Sequence, residues 1–175
     1  MDNLIRTSKA YWIWGLFPIN ETIFLNSLQY KVQKVLKSPR FEAHITLSGP
    51  FLEIDKTLIK KLKNYSKYKS SVSIEVIGYD YKMEKYESFF IALKNSLNLN
   101  NLRTEINKLT KPKFNKKYTP HISLSYGNHN KKDKEVLIST MPRLQKDFSI
   151  SRLALVKVDE NINLWNIKDT FDFKN

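Results

Sequence analysis

The run His-Ile-hydroxyl-Leu occurs twice in this chain, as HITL at His44–Leu47 and as HISL at His121–Leu124, although the chain holds only three histidines. Each copy reads as a short strand, in which the histidine and the hydroxyl residue share one face while Ile and Leu share the other. The lead-ins match as well. An aromatic, apolar strand from Lys9 to Phe17 and a helix from about Glu21 to Lys37 precede the first copy; a strand from Tyr86 to Leu93 and a helix from about Leu99 to Leu109 precede the second. Trp14 stands 30 residues before His44, and Ile91 stands 30 before His121. Strand, helix and echo strand, repeated in step, describe a diverged duplication. That restricts the chain to an α+β, bilobal architecture of approximate twofold symmetry, with two antiparallel-rich sheets around a central cleft and helices outside. We expect a single domain over 1–175, with halves of about 1–80 and 81–175 and the last strands free to cross between the lobes.

The remaining elements fit this plan. Pro18 stops the first strand and Asn20 is the expected cap of the first helix, whose Phe24, Leu25, Leu28, Val32, Val35 and Leu36 recur at helical spacing. A second, Lys-rich helix is predicted from Asp55 to about Tyr65, and a strand from Val72 to Tyr79. Two closing strands are predicted over Phe148–Val158 and Leu164–Phe173. The polar stretch around His129, YGNHNKKDK, reads as a solvated turn, and His129 is given no role.

Composition narrows the chemistry. The chain has no cysteine, which removes disulfides, thiolate metal sites and cysteine nucleophiles. No apolar run is long enough to cross a bilayer, so no membrane partner is expected. The amino-terminal MDNLIRTSKAYWIWGLF carries an early Asp and no small-residue cleavage site, so it reads poorly as a secretory signal and a cytoplasmic location is expected. A net charge of +13 favours phosphorylated partners through long-range attraction, although a Lys- and Asn-rich composition produces such a charge without any ligand.

A lone histidine among apolar residues is more often a hydrogen-bonded core residue than a catalyst. Two that share a following hydroxyl and a matched lead-in are not explained that way. Two imidazoles facing each other across a cleft suit acid–base chemistry at phosphorus: a neutral ring takes a proton from water and a charged ring protonates the departing oxygen. Thr46 and Ser123 stand ready to donate to the nonbridging oxygens. The expected catalytic set is therefore His44, His121, Thr46 and Ser123, with no cofactor and no metal. A zinc site would need a third ligand at a spacing that neither echo provides. Tyr126, Tyr118 and Phe51 are candidates for a base or ribose platform, each weighed against core packing or loop bracing. Lys116, in a basic loop with Lys111, Lys113 and Lys117, is a candidate for steering phosphate. For Trp12 and Trp14, core packing is the better reading.

HITL and PHISL, 77 residues apart from histidine to histidine, resemble the paired His-x-Thr/Ser signatures of the 2H phosphoesterase superfamily. The likeness extends to the strand ending in a proline (IWGLFP), the tyrosine and glycine after the second motif (SLSYG) and the tryptophan of the closing segment (NLWNIKDTFDF). It looks closest to the cyclic phosphodiesterase and RNA 2′,5′ ligase-like branch. The resemblance implies a metal-independent phosphodiesterase acting on a 2′,3′-cyclic phosphate or on a 2′,5′-linked or cyclic (oligo)nucleotide. For the hydrolytic direction the lean is towards His121 as base and His44 as acid, although the sequence of a near-symmetric site does not rank the two; a nucleotide or RNA substrate is implied, and a monomer with no obligate protein partner is expected. The competing reading is a non-catalytic, basic nucleotide- or RNA-binding module of the same fold.

Overall fold

Among the described residues, eight strands and four α-helices follow one another, and several of their boundaries have a local cause. The computed structural model describes residues 10–112 and 118–174, so Lys113, Lys116 and Lys117 of the basic loop lie outside the described residues. Strand β1 (Ala10–Leu16) runs to Pro18, where helix α1 (Ile19–Leu36) begins. Pro18 itself occupies the cap position, and its carbonyl accepts the Thr22 N–H at 2.9 Å. Asn20 lies inside the first turn rather than capping it, because a proline's fixed φ suits the start of a helix, which here begins two residues earlier than expected. Strand β2 (Ile45–Phe51) is followed by helix α2 (Lys56–Tyr68), which Asp55 caps by accepting from the Leu58 N–H at 2.6 Å. Strands β3 (Val72–Tyr81) and β4 (Phe89–Leu93) form a hairpin-like pair, and helix α3 (Leu97–Thr110) starts at the Ser96 cap.

Strand β5 (His121–Ser125) carries the second motif, and helix α4 (Lys131–Thr140) follows it where a turn was expected. The apolar signal of α4 is faint because it buries only Lys134 and Leu137, but Asn130 caps it by accepting from the Asp133 N–H at 2.8 Å. Lys134 is fully buried, its ammonium donating to the Lys82 carbonyl at 2.8 Å, so a residue that looked solvated ties α4 to the end of β3.

The predicted strand Phe148–Val158 is in fact two. β6 (Asp147–Ile150) pairs with β3, and β7 (Arg152–Val158) pairs with β1; Ser151 between them donates its N–H to the Leu16 carbonyl at 2.9 Å. The chain changes lobes at that residue. A short 3-10 turn (Ile162–Leu164) then leads into β8 (Asn166–Asp172), which pairs with β7.

The strand order is β6-β3-β4-β5-β2-β1-β7-β8, with all of these pairs antiparallel. Two four-stranded halves thus meet edge to edge at β5 and β2, giving one curled antiparallel sheet in place of two separate ones. Their register contact is a single pair, Ile45 opposite Ile122. The halves do not follow the middle of the sequence: β3 joins the second, while β7 and β8 cross back to the first. Helices α1 and α3 are exchanged, α1 lying against β5 and α3 against β2. Gln29 of α1 donates to the Ser123 carbonyl at 3.4 Å, and the hydroxyls of Ser48 on β2 and Thr110 on α3 are 2.7 Å apart. Each motif strand is therefore backed by the other half's helix.

Alternation sorts the side chains of this sheet into two layers. Ile13, Ile45, Leu47, Ile91, Ile122, Leu124, Leu153 and Leu155 face the helices and form one continuous core across both halves. Trp14, Leu16, Ala154 and Val156 point to the opposite face, where Trp12, Val158 and Trp165 pack against them. The chain thus exposes an aromatic layer on the sheet face that the helices leave open.

Ile45 and Ile122 are both fully buried, and truncation of a buried isoleucine typically costs about 2–5 kcal/mol. We expect Ile45→Ala and Ile122→Ala each to destabilise by about that much in urea unfolding. Because the two residues touch, the double variant should depart from additivity by about 0.5 kcal/mol or more; strict additivity would show that the halves are held together elsewhere.

Candidate active site

The Ile45–Ile122 pair fixes how the motif residues meet. Extending the antiparallel register by one residue in each direction sets His44 across from Ser123 and Thr46 across from His121, with all four on the open face. In a regular antiparallel pair, diagonal positions such as the two histidines lie about 7–8 Å apart, a spacing that leaves room for a tetrahedral group between them. The four expected residues are brought together.

The two imidazoles are anchored alike. The Nδ1 of His44 lies 2.6 Å from the Glu42 carbonyl oxygen, and that of His121 lies 2.8 Å from the Thr119 carbonyl oxygen. A carbonyl only accepts, so Nδ1 carries the proton in both rings and Nε2 of a neutral ring presents its lone pair. The same hydrogen bond two residues upstream in each half is the duplication expressed as chemistry.

Their surroundings differ. His44 is 4% exposed: the Trp14 ring stacks on it at 3.5 Å between centroids and 7° between planes, and Phe41 and Trp165 stand edge-on at 6.2 and 6.3 Å. Burial drives its pKa down to about 3; the Glu42 carbonyl opposes that shift, and a charge on His121 reinforces it. His121 is half-buried, with Phe90 tilted against it at 5.2 Å. Its pKa is lowered too, chiefly by burial, while the Thr119 carbonyl and the Glu87 carboxylate work to raise it and Lys82 to lower it. Glu87 and Lys82 form an ion pair with each other. His44 is thus the ring held neutral, and His121 is the ring with a carboxylate to support its charge.

The register also corrects the spacing argument. Trp14 pairs with Thr46, whereas Phe90, not Ile91, pairs with Ser123. Trp14 precedes its partner Thr46 by 32 residues and Phe90 precedes Ser123 by 33, so the second connection is one residue longer and the aromatic ring beside each histidine is Trp14 in one half and Phe90 in the other.

The remaining candidates separate. Tyr126 is buried at the site, its ring 4.3 Å from Phe41 and 5.3 Å from Trp165; burial raises its pKa, and hydrogen bonding with Ser123 opposes that. Tyr118 lies next to the site as a brace: its hydroxyl donates to the Thr46 carbonyl at 3.0 Å and the Arg103 guanidinium lies 4.1 Å over its ring, so that face is covered. Phe51 is 7% exposed and belongs to the helix-side core, away from the motif face. Lys116 lies outside the described residues. His129 is half-buried, its Nε2 lying 3.2 Å from the Tyr126 carbonyl oxygen.

Sequence reasoning missed Phe41, Trp165, Phe90 and Glu87, and read Trp14 as core. One signal was available for Phe41, which precedes His44 by three just as Tyr118 precedes His121. Trp165 and Glu87 reach the site through strand pairing that no local pattern encodes. Among the described residues, no group of three His, Asp or Glu side chains gathers to hold a metal, and no helix is long and apolar enough to cross a membrane.

A family model described as the 2′-5′ RNA ligase superfamily matches residues 22–162. The chain belongs to this superfamily, the group of the 2H phosphoesterases. Solved structures share the fold over nearly the whole length of both chains. TT0787 of Thermus thermophilus aligns with a TM-score of 0.65 at 15% identity, covering 94% of this chain and 97% of the other. LigT of E. coli in its apo form aligns at 0.61 and 10% identity, covering 95% and 98%. The E. coli LigT complexed with 3′-AMP aligns at 0.57 and 9%, covering 95% and 99%. Comparison with curated proteins gives no match. Superfamily membership makes this chain a phosphoesterase-type protein, and the low identities leave its substrate to be argued from its own residues.

The contrast between the two rings has a spectroscopic consequence. In an NMR titration, His44 should stay neutral on acidification to about pH 4, far below an ordinary histidine. Its folded pKa lies below its unfolded value, so the unfolded chain binds the extra proton first. Stability is full above about pH 6.5 and is lost as pH falls towards 3. A His44 signal that titrates near 6.5 would show that the aromatic cover does not exclude water.

Proposed function

We propose that this protein is a phosphodiesterase that opens a 2′,3′-cyclic or 2′,5′-linked nucleotide phosphodiester by acid–base catalysis between His44 and His121. The observation that carries this reading is the pair of rings on one sheet face, each with Nδ1 anchored to a carbonyl two residues upstream and a hydroxyl two residues downstream. That arrangement commits both Nε2 atoms to whatever lies between them.

In this reading the roles are the reverse of the initial lean. The Nε2 of neutral His44 takes a proton from water as the water oxygen bonds to phosphorus. Protonated His121, supported by Glu87, gives its proton to the ribose oxygen as the P–O bond breaks, leaving a phosphomonoester. The hydroxyls of Thr46 and Ser123 donate to the nonbridging oxygens, where charge builds in the transition state. Tyr118 holds the Thr46 backbone, and with it the spacing between the two motifs. The basic surface implied by a net charge of +13 draws the anionic substrate in.

The near-complete cover of His44 favours one competing reading, a module that binds a nucleotide without cleaving it. Products decide between them. With a panel of 2′,3′-cyclic nucleotides, 2′,5′-linked dinucleotides and cyclic oligonucleotides in EDTA, the wild type should cleave at least one. His44→Ala and His121→Ala should each lose about 10² or more in kcat. Because the reaction needs His44 neutral and His121 charged, kcat/KM should peak on the acid side of pH 6.5 and fall as pH rises through the His121 titration. Binding of every panel member without any product would favour the module. Activity abolished by EDTA would favour a metal enzyme.

A further inference from the structure

A cavity of about 390 Å³ opens beside His44 on the same sheet face. Its walls are the rings of Trp14, Phe41 and Trp165 with Val156 and Ile162 behind them, and Arg40, Glu42, Asn163 and Asn166 also line it. Trp14 is the ring that stacks on His44, and Phe41 and Trp165 are the two that stand edge-on to it. The cavity therefore begins one ring's width from the reacting position.

Trp165 is the informative residue. It is only half-buried, yet its indole Nε1–H donates to the Asp159 carbonyl at 2.7 Å, and its backbone N–H closes the preceding 3-10 turn onto the Ile162 carbonyl at 3.1 Å. A large ring kept partly in solvent and locked from both ends is a preorganised stacking surface. Asn163, Asn166 and Arg40 are exposed, which leaves their donors and acceptors free to meet a polar ring edge. The second half differs: among the described residues, the ring beside His121 is Phe90, next to the Lys82–Glu87 pair.

We propose that this cavity is an adenine pocket, which holds the base of the nucleoside whose phosphate lies between the two histidines; it rests on the phosphodiesterase reading of that site. The flat base stacks on Trp165, and an amide from Asn163 or Asn166 pairs with its N6 and N7 edge, the bidentate match that asparagine makes with adenine. Arg40 at the rim meets an adjoining phosphate. Specificity on this reading comes from the His44 half of the cleft, while the His121 half supplies the proton for the leaving oxygen.

The chain's three tryptophans, Trp12, Trp14 and Trp165, all belong to this aromatic layer, so intrinsic fluorescence reports directly on occupancy. Nucleoside monophosphates contain no diester, so their binding is read independently of turnover. Adenosine 2′- and 3′-monophosphate should quench the fluorescence and bind at least about tenfold more tightly than the uridine and guanosine counterparts or ribose 5-phosphate. Trp165→Ala should weaken adenosine monophosphate binding about tenfold or more, with a thermal melt checking the fold. If that variant does not fold, the double variant Asn163→Ala/Asn166→Ala, changed at two exposed positions, should reduce the preference for adenine over uracil about fivefold or more. Equal affinity for the three nucleoside monophosphates and for ribose 5-phosphate overturns the pocket, as does a folded Trp165→Ala, or a variant with both Asn163→Ala and Asn166→Ala, that binds like wild type. Selective adenine binding with no diester cleaved would leave the pocket standing and remove the phosphodiesterase; cleavage without base preference would do the reverse.

Discussion

The whole arrangement turns on one cross-strand pair, Ile45 against Ile122, where two four-stranded halves join. A contact so narrow would be weak by itself. It is reinforced by the exchange of helices, with α1 pressed on β5 and α3 on β2, so that neither motif strand can move without disturbing the other half's helix. Bonds between the halves follow the same logic: Gln29 to the Ser123 carbonyl, Ser48 to Thr110, and Tyr118 to the Thr46 carbonyl. Packing on the buried face thereby sets the separation of four polar side chains on the open one.

Duplication supplies symmetry, and divergence breaks it where chemistry requires. Both histidines keep the same anchor two residues upstream, which fixes the tautomer. Beyond that anchor the halves part company. One ring is boxed by Trp14, Phe41 and Trp165 and held neutral; the other sits half-open beside Phe90, within the field of Glu87. The proposed general acid and general base need opposite protonation at one pH, and a symmetric pair of sites would not provide it. Burial lowers the pKa of both rings, His44's to about 3, and at His121 the Glu87 carboxylate opposes that lowering.

The aromatic layer of Trp12, Trp14 and Trp165 illustrates how a sheet with both faces in use differs from an ordinary one. The helix-covered face takes aliphatic side chains, which fill volume without direction. The open face takes rings, which can bury one surface against the sheet while offering the other to a flat ligand or to an imidazole. Phe51 and Trp14 show why residue type alone does not separate these uses. Both are aromatic and nearly buried, yet Phe51 faces the helices and Trp14 faces the histidine.

The sequence alone determined the duplicated strand–helix–strand order and that His44 and Thr46, like His121 and Ser123, share one face of their strand, because alternation and helical spacing are written in neighbouring residues. It also determined that Ile45 and Leu47 would be core wherever their strand lay. Tertiary structure decided the rest: that β3 joins the second half and β7 and β8 the first, that Ser151 is a crossing point, and that Phe90 rather than Ile91 lies opposite Ser123. It also decided that Trp165, 121 residues away along the chain, stands beside His44. These outcomes depend on pairing between strands distant in sequence and on a one-residue difference in the length of the two connections. A local pattern specifies which way a side chain points, but only the assembled sheet specifies what it points at.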